Sequence, residues 1–297
     1  MAIEFQPQQD KWVKCISNTG TIRAVAVNAT EITNYLSQRH KTGLAGTKSL
    51  SEGVIASLLL SSYCKDQEKV NLNIQGSGWC HQAIFDANAN AEVRGYVIER
   101  NYDDIELAKN IGPWGIGLLS VLRTKTEEQK PYIGTVPLLT GHLPKDLTYY
   151  WLQSEQVHSA VGIDVQLDFD KNSVTFAQGF LIQALPGATD EDLKTIEDHM
   201  RKFNFYDPDS AQRKTPTHLL SFLLENQAFS VLEEKPLVVK CSCSLERVRR
   251  SISLVGPEEI ESMIHDGENI EVNCDFCSEK YTFTMEMLKD ILNNLKK

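Results

Sequence analysis

Two close cysteine pairs near the carboxyl terminus, Cys241-Ser242-Cys243 and Cys274-Asp275-Phe276-Cys277, set the tightest limit on how this chain can fold. They are separated by the 30 residues from Ser244 to Asn273. A C-x-x-C turn brings two sulfurs to one side of a metal, and the tighter C-x-C can supply the opposite edge if the intervening loop folds back. The spacing therefore predicts one structural zinc ion held by the four thiolates of Cys241, Cys243, Cys274 and Cys277. Disulfide-framework and redox-motif readings compete with it. A framework needs an oxidising compartment, which nothing in the chain suggests, and a thioredoxin-type site would explain one pair but not both.

The surroundings read as a small metal-nucleated domain, residues 241–297. Leu245 to Ser253 is a short basic helix. Gly256-Pro257-Glu258-Glu259 starts another, with proline in the first turn and acids at the positive end of the dipole. Gly267 ends it. Ile270 to Val272 and Tyr281 to Phe283 are strands that place the C-x-x-C at a hairpin tip, and Leu288, Ile291, Leu292 and Leu295 make a final amphipathic helix. These 57 residues contain few large apolar side chains. A unit that small rarely has a sufficient core, whereas a structural zinc contributes roughly 10 to 16 kcal/mol of apparent binding energy. Whether the domain is folded is expected to depend on the metal.

Composition narrows the function. With 297 residues, 41% apolar and 24% charged, the chain has room for one substantial domain and one or two small ones. No apolar run approaches the roughly 20 residues that span a bilayer, so no membrane role is expected. The start, Met1 to Pro7, lacks the basic and apolar regions of a secretory signal, which points to a cytoplasmic protein with reduced thiols. The formal charge of -10 is spread over all three segments, as -3 for 1–186, -3 for 187–240 and -4 for 241–297. A zinc-ribbon adaptor for nucleic acid would therefore lack its usual electrostatic attraction.

Residues 1–186 read as a layered α+β domain of sheets covered by helices. Trp12 to Ile16 and Ile22 to Val27 form a hairpin through Asn18-Thr19-Gly20, helices are predicted over 30–40, 50–64 and 146–156, and strands over 70–74, 82–85, 92–98, 117–122, 162–168 and 173–182. Glycines in Gly76-Ser77-Gly78 and Gly112 to Gly117 read as turn residues, since neither stretch lies between a strand and a helix. Cys80 and His81 are neighbours on a strand and point to opposite faces, which argues against a nucleophile and base. Cys15 and Cys64 read as buried thiols, and no constellation argues for catalysis. Residues 187–240 read as a helical linker. One helix starts at the capping box Thr189 to Asp192 and carries Leu193, Ile196, Met200 and Phe203 on one face; after the breaker Asp207 to Ser210 a second runs from Thr217 to Gln227. Helices of about three turns are marginal alone, so this segment folds only while a neighbour holds it.

Several stretches together resemble the redox-regulated molecular chaperones of the 33-kDa heat-shock-protein family. The carrying residues are Cys241 to Val248, Gly256 to Glu259 with Met263-Ile264, Glu271 to Cys277 and Tyr281 to Phe283. In the first domain they are Ile74 to Gly78, Arg94 to Val97, Gly141 to Asp146, Tyr149-Tyr150 and Ser154 to Gln156. Trp79 stands where the family pattern has proline. The resemblance implies a zinc-loaded, inactive reduced form with one Zn2+ per chain. It also implies an oxidised form, dimeric on activation, that holds unfolding or oxidatively damaged client proteins without ATP. It further implies that neighbouring cysteines pair on oxidation, Cys241 with Cys243 and Cys274 with Cys277. The expected function is a redox-switched holdase and not an enzyme; the rival is an enzyme of unknown reaction whose zinc module is purely structural.

Overall fold

The computed structural model describes residues 3–65, 67–99, 113–124, 131–202, 215–224 and 228–295. The chain divides into two units, one of residues 5–239 and one of residues 240–297 with the first four. No helix among the described residues is long and apolar enough to cross a membrane.

The larger unit is an α+β structure built around a buried helix. After β1 (Ile3–Phe5), whose first two residues belong to the smaller unit, strands β2 (Lys11–Ser17) and β3 (Ile22–Asn28) precede helices α1 (Thr30–His40) and α2 (Leu44–Ser61). Then come β4 (Lys69–Gly76), β5 (Cys80–Asn88), β6 (Glu92–Glu99), β7 (Gly117–Thr124), β8 (Tyr132–Leu138) and α3 (Leu143–Tyr150). They are followed by β9 (Ser159–Asp168), β10 (Ser173–Ala184), α4 (Asp190–Lys202), α5 (Pro216–Leu223), β11 (Phe229–Pro236) and β12 (Val238–Cys241). One sheet runs β12-β6-β5-β4-β7-β8 and the other β11-β2-β3-β10-β9. Helix α2 packs against β4, β5 and β6 of the first and against β9 and β10 of the second.

A helix between two sheets has no solvent face, and the sequence of α2 reflects that. Fifteen of its 18 residues are buried, so its apolar side chains surround the axis instead of forming one stripe. Its buried serines bond back to their own helix: Ser51 Oγ to the Thr47 carbonyl at 2.7 Å, Ser57 to Val54 at 2.9 Å and Ser61 to Leu58 at 3.1 Å. Strand β3 is buried on both faces by simple alternation. Val25 and Val27 join the core around α2, while Ile22, Ala24 and Ala26 join a second core with Phe180, Ile182, Ile196, Leu219, Leu220 and Leu223. The second core is where α4 and α5 bury their apolar sides.

The linker begins as its sequence predicts and then departs from it. The capping box is formed, with the Thr189 N–H donating to Asp192 Oδ2 at 3.0 Å and the Asp192 N–H to Thr189 Oγ1 at 3.2 Å. Residues 229–236, expected within a helical linker, form β11, antiparallel to β2 at the sheet edge. The charged run Glu233, Glu234 and Lys235 suits an edge strand, where Lys11 pairs with Glu234 and Lys14 with Glu233. Phe203, Asp207 to Ser210, Gln227 and Gly112 lie outside the described residues. Strand β8 is also absent from the sequence reading because Gly134 and Pro137 argue against a strand. It occupies the opposite sheet edge, where the missing N–H of proline is tolerated. The helix expected over 146–156 starts at Leu143 and finishes in a π-helical turn, Trp151–Glu155. Trp79, the departure from the family pattern, donates its N–H to the Pro113 carbonyl at 3.0 Å, a bond that proline could not make.

Gly53 marks a close approach of α2 to the first sheet. A Cβ there would lie 2.1 Å from the ring of Phe85, which is itself fully buried. Gly53→Ala is expected to destabilise the protein by about 1 to 3 kcal/mol, the usual range for overpacking a core, measured as a lowered urea midpoint with unchanged slope.

Candidate metal centre

The smaller unit consists of short elements that converge on sulfur. Helix α6 (Leu245–Ser253) is capped by Ser244, whose Oγ accepts the Arg247 N–H at 3.2 Å, and the Arg247 guanidinium donates to Ser242 Oγ at 2.5 Å. These bonds tie the loop carrying Cys241 and Cys243 to the start of α6. Helix α7 (Pro257–Asp266) begins after Gly256 at φ 97° and ends at Gly267 at φ 76°, both in the left-handed region that glycine adopts freely. Strands β13 (Ile270–Asn273) and β14 (Lys280–Phe283) pair antiparallel, and α8 (Met285–Leu295) completes the unit. Its core combines three of the cysteines with Ile252, Ile260, Tyr281, Phe283, Leu288 and Ile291.

The hairpin tip is shaped by backbone bonds. The Cys274 N–H donates to the Glu279 carbonyl at 2.9 Å, and the N–H groups of Cys277 and Ser278 donate to the Cys274 carbonyl at 3.3 and 2.7 Å. Ser278 takes φ 56° to close the turn. This turn faces the loop carrying Cys241 and Cys243, and all four Sγ atoms lie within 4.8 Å of one another. Cys241 and Cys274 are 3.7 Å apart and Cys243 and Cys277 3.4 Å. Cys241, Cys243 and Cys277 are buried, and Cys274 is half-buried. Tyr281 adds a contact not anticipated from sequence: its hydroxyl donates to Cys243 Sγ at 3.1 Å. Its signal was a tyrosine at an inward position of a strand, since a buried phenol normally finds a hydrogen-bond partner.

The donor set fits a metal ion. Bonds of about 2.3 Å to a tetrahedral centre would place sulfurs about 3.8 Å apart, close to the separations found. As free thiols Cys274 and Cys277 are hard to ionise: the hydrogen bond with Cys241 is the main cause pushing Cys274 up to about 11, and Cys241 also heads the causes that raise Cys277. A divalent cation reverses this, because its charge favours thiolates. The remaining cysteines lie elsewhere. Cys15, Cys64 and Cys80 are buried in the larger unit, where loss of hydration raises each thiol above its ordinary value. The glycine-rich stretches serve close packing, with the Gly78 N–H donating to the Trp114 carbonyl at 3.0 Å.

A layered α+β unit followed by a small unit centred on four convergent sulfurs defines a class of protein whose C-terminal module carries a cysteine cluster able to hold a metal ion. The chain belongs to the Hsp33 family, whose model, described as Hsp33 protein, matches residues 10–284. It is 34% identical over 293 residues to a 33 kDa chaperonin of Levilactobacillus brevis, covering 95% of this chain and 97% of that one. It is 35% identical over 292 residues to a 33 kDa chaperonin of Lactococcus lactis subsp. cremoris, covering 96% and 100%. The crystal structure of the 33 kDa chaperonin of Thermotoga maritima superposes with a TM-score of 0.86 at 25% identity, covering 97% of this chain and 99% of that one.

The raised thiols set the sign of a pH dependence. Without a metal, Cys274 and Cys277 are protonated at neutral pH, so an ion that binds thiolates must displace protons, and acid competes with it. Metal affinity in chelator competition is expected to rise steadily from pH 6 to pH 8.5, with proton release on binding; pH-independent affinity would contradict the thiolate assignment.

Proposed function

We propose that this chain is a redox-switched holdase, held inactive by one zinc ion on Cys241, Cys243, Cys274 and Cys277. The observation that carries the reading is the four-sulfur cluster, three of whose cysteines form part of the core of a small unit. Membership of the chaperone family supports it. Zinc, when bound, keeps the sulfurs as thiolates and contributes roughly 10 to 16 kcal/mol of apparent binding energy. A core of this size supplies no more than a few kcal/mol by itself. Residues 241–297 therefore lose their fold when the four ligands are consumed.

Oxidation consumes them. With a peroxide as oxidant, the thiolates of Cys241 and Cys243 give up two electrons, one S–S bond forms, and the peroxide takes up those electrons with two protons from solvent and leaves as two waters. Cys274 and Cys277 do the same. Pairing between sequence neighbours closes the shortest loops, which costs the least chain entropy once the unit loosens. Crosswise disulfides would instead staple the hairpin to the Cys241 loop and keep the unit compact. Since β12 ends on Cys241, unfolding of the small unit removes the ordered neighbour at that end of the strand, while β11 on β2 and β12 on β6 keep their own pairings. Helices α4 and α5 are too short to persist alone, and their release uncovers Leu219, Leu220 and Leu223 together with Ile22, Ala24 and Phe180 of the sheet. That apolar surface is the holding site for unfolding or oxidatively damaged clients in the cytoplasm, and it favours a homodimer in the oxidised state.

Client light scattering tests the switch. The protein treated with peroxide under mild heat is expected to suppress aggregation of a heat-denatured client without ATP, whereas the reduced zinc-loaded protein does not; equal activity in both states would rule the switch out. Peptide mapping of the oxidised protein is expected to find disulfides within the 241–243 and 274–277 peptides. Links between peptides carrying Cys243 and Cys277, 34 residues apart, would exclude the local pairing.

A further inference from the structure

Strand β14 alternates, with Tyr281 and Phe283 turned inward and Lys280 and Thr282 exposed. Both inward rings fill the core of the small unit, but they differ by one hydroxyl. At Phe283 the side chain is wholly apolar and fully buried. At Tyr281 the phenol carries its O–H into the same interior, and its acceptor there is Cys243 Sγ. A thiolate has no proton to give, so in the metal-bound state the hydroxyl is the donor and the sulfur the acceptor.

We infer that Tyr281 is a positioning residue of the metal centre, whose O–H donates to Cys243 Sγ, fixes that sulfur and withdraws electron density from it. Four thiolates around a divalent ion carry excess negative charge, and a hydrogen bond to one of them offsets part of it. Groups that hydrogen-bond metal ligands commonly change metal affinity by 10- to 100-fold. The placement gives the bond a second effect. Cys243 belongs to the loop before α6, whereas Tyr281 belongs to the strand leaving the Cys274 to Cys277 turn, so the contact joins the two halves that the ion must hold together. The inference rests on the proposed metal site, and deepens it by naming what sets its hold on the metal.

Tyr281→Phe removes the hydroxyl and keeps the ring. In the full-length protein, zinc affinity by chelator competition is expected to fall about 10- to 100-fold. With cobalt(II) in place of zinc, the thiolate-to-metal charge-transfer band is expected to move to lower energy, because a sulfur without its donor gives up electrons more readily. Phe283→Leu serves as the structural control: it loses packing next to the site, and is expected to lower stability without moving the band. Wild-type protein loaded with an NMR-active cadmium isotope supplies a measurement that needs no variant, since the Tyr281 hydroxyl proton should be slow to exchange and coupled to the metal. An affinity within twofold of wild type with an unshifted band would overturn the inference, as would a freely exchanging, uncoupled hydroxyl proton. Should the wild type itself fail to bind zinc or cobalt, the metal-site reading falls as well; tight wild-type binding with an unchanged Tyr281→Phe overturns only the role of the tyrosine.

Discussion

While reduced, four sulfur atoms gathered within 4.8 Å can be mutually satisfied in two ways: protonated, sharing weak S–H contacts, or ionised around a cation. The first adds little to stability, and the second replaces repulsion among thiolates with four metal-ligand bonds. Everything distinctive about residues 240–297 follows from that choice. Three of the cysteines sit in the unit's core beside Ile252, Ile260, Tyr281, Phe283, Leu288 and Ile291, so the sulfur cluster is part of the packing itself. A fold organised in this way responds to whatever acts on those sulfurs.

The larger unit follows the opposite design. Its stability is distributed over two sheets and the helix between them, and no single contact decides it. Helix α2 is apolar around its whole circumference, and strand β3 is buried on both sides, so layers form on either side of each. The outermost layer, α4 and α5, is the least self-sufficient part. Both helices are short, and their buried residues gain nothing from one another unless the sheet beneath is present. A metal-dependent module and a conditional helical layer joined along one chain are the physical ingredients that a switch between hidden and exposed apolar surface requires.

In such an arrangement the sensing atoms and the stabilising atoms are the same. Thiolates held by an ion remain the reactive form of cysteine, so in the proposed switch the chemistry that would detect an oxidant is also the chemistry that would dissolve the fold. The half-buried position of Cys274 beside three buried partners leaves one sulfur more open to solvent than the rest. The three cysteines of the larger unit show the contrast. Buried in apolar surroundings with raised pKa values, Cys15, Cys64 and Cys80 behave as small hydrophobes, although they are the same residue type.

What could be read from sequence was whatever is encoded locally. The two cysteine spacings, the capping boxes, the proline and glycine that bracket α7, and the alternation of β13 and β14 are each complete within a few residues, because backbone geometry and ligand bite are short-range properties. Even the bulk of the two-faced strand β3 was visible as an apolar run. What sequence could not decide was which surfaces lie against which. Strand β11 carries a charged, unremarkable stretch that becomes a strand because β2 offers an open edge, and β8 is a strand despite Gly134 and Pro137 because it sits at the other sheet's edge. The hydroxyl of Tyr281 reaches Cys243 across 38 residues of chain. Edge pairing and side-chain contact between distant residues depend on the assembled core, and only the tertiary structure brings those partners within reach.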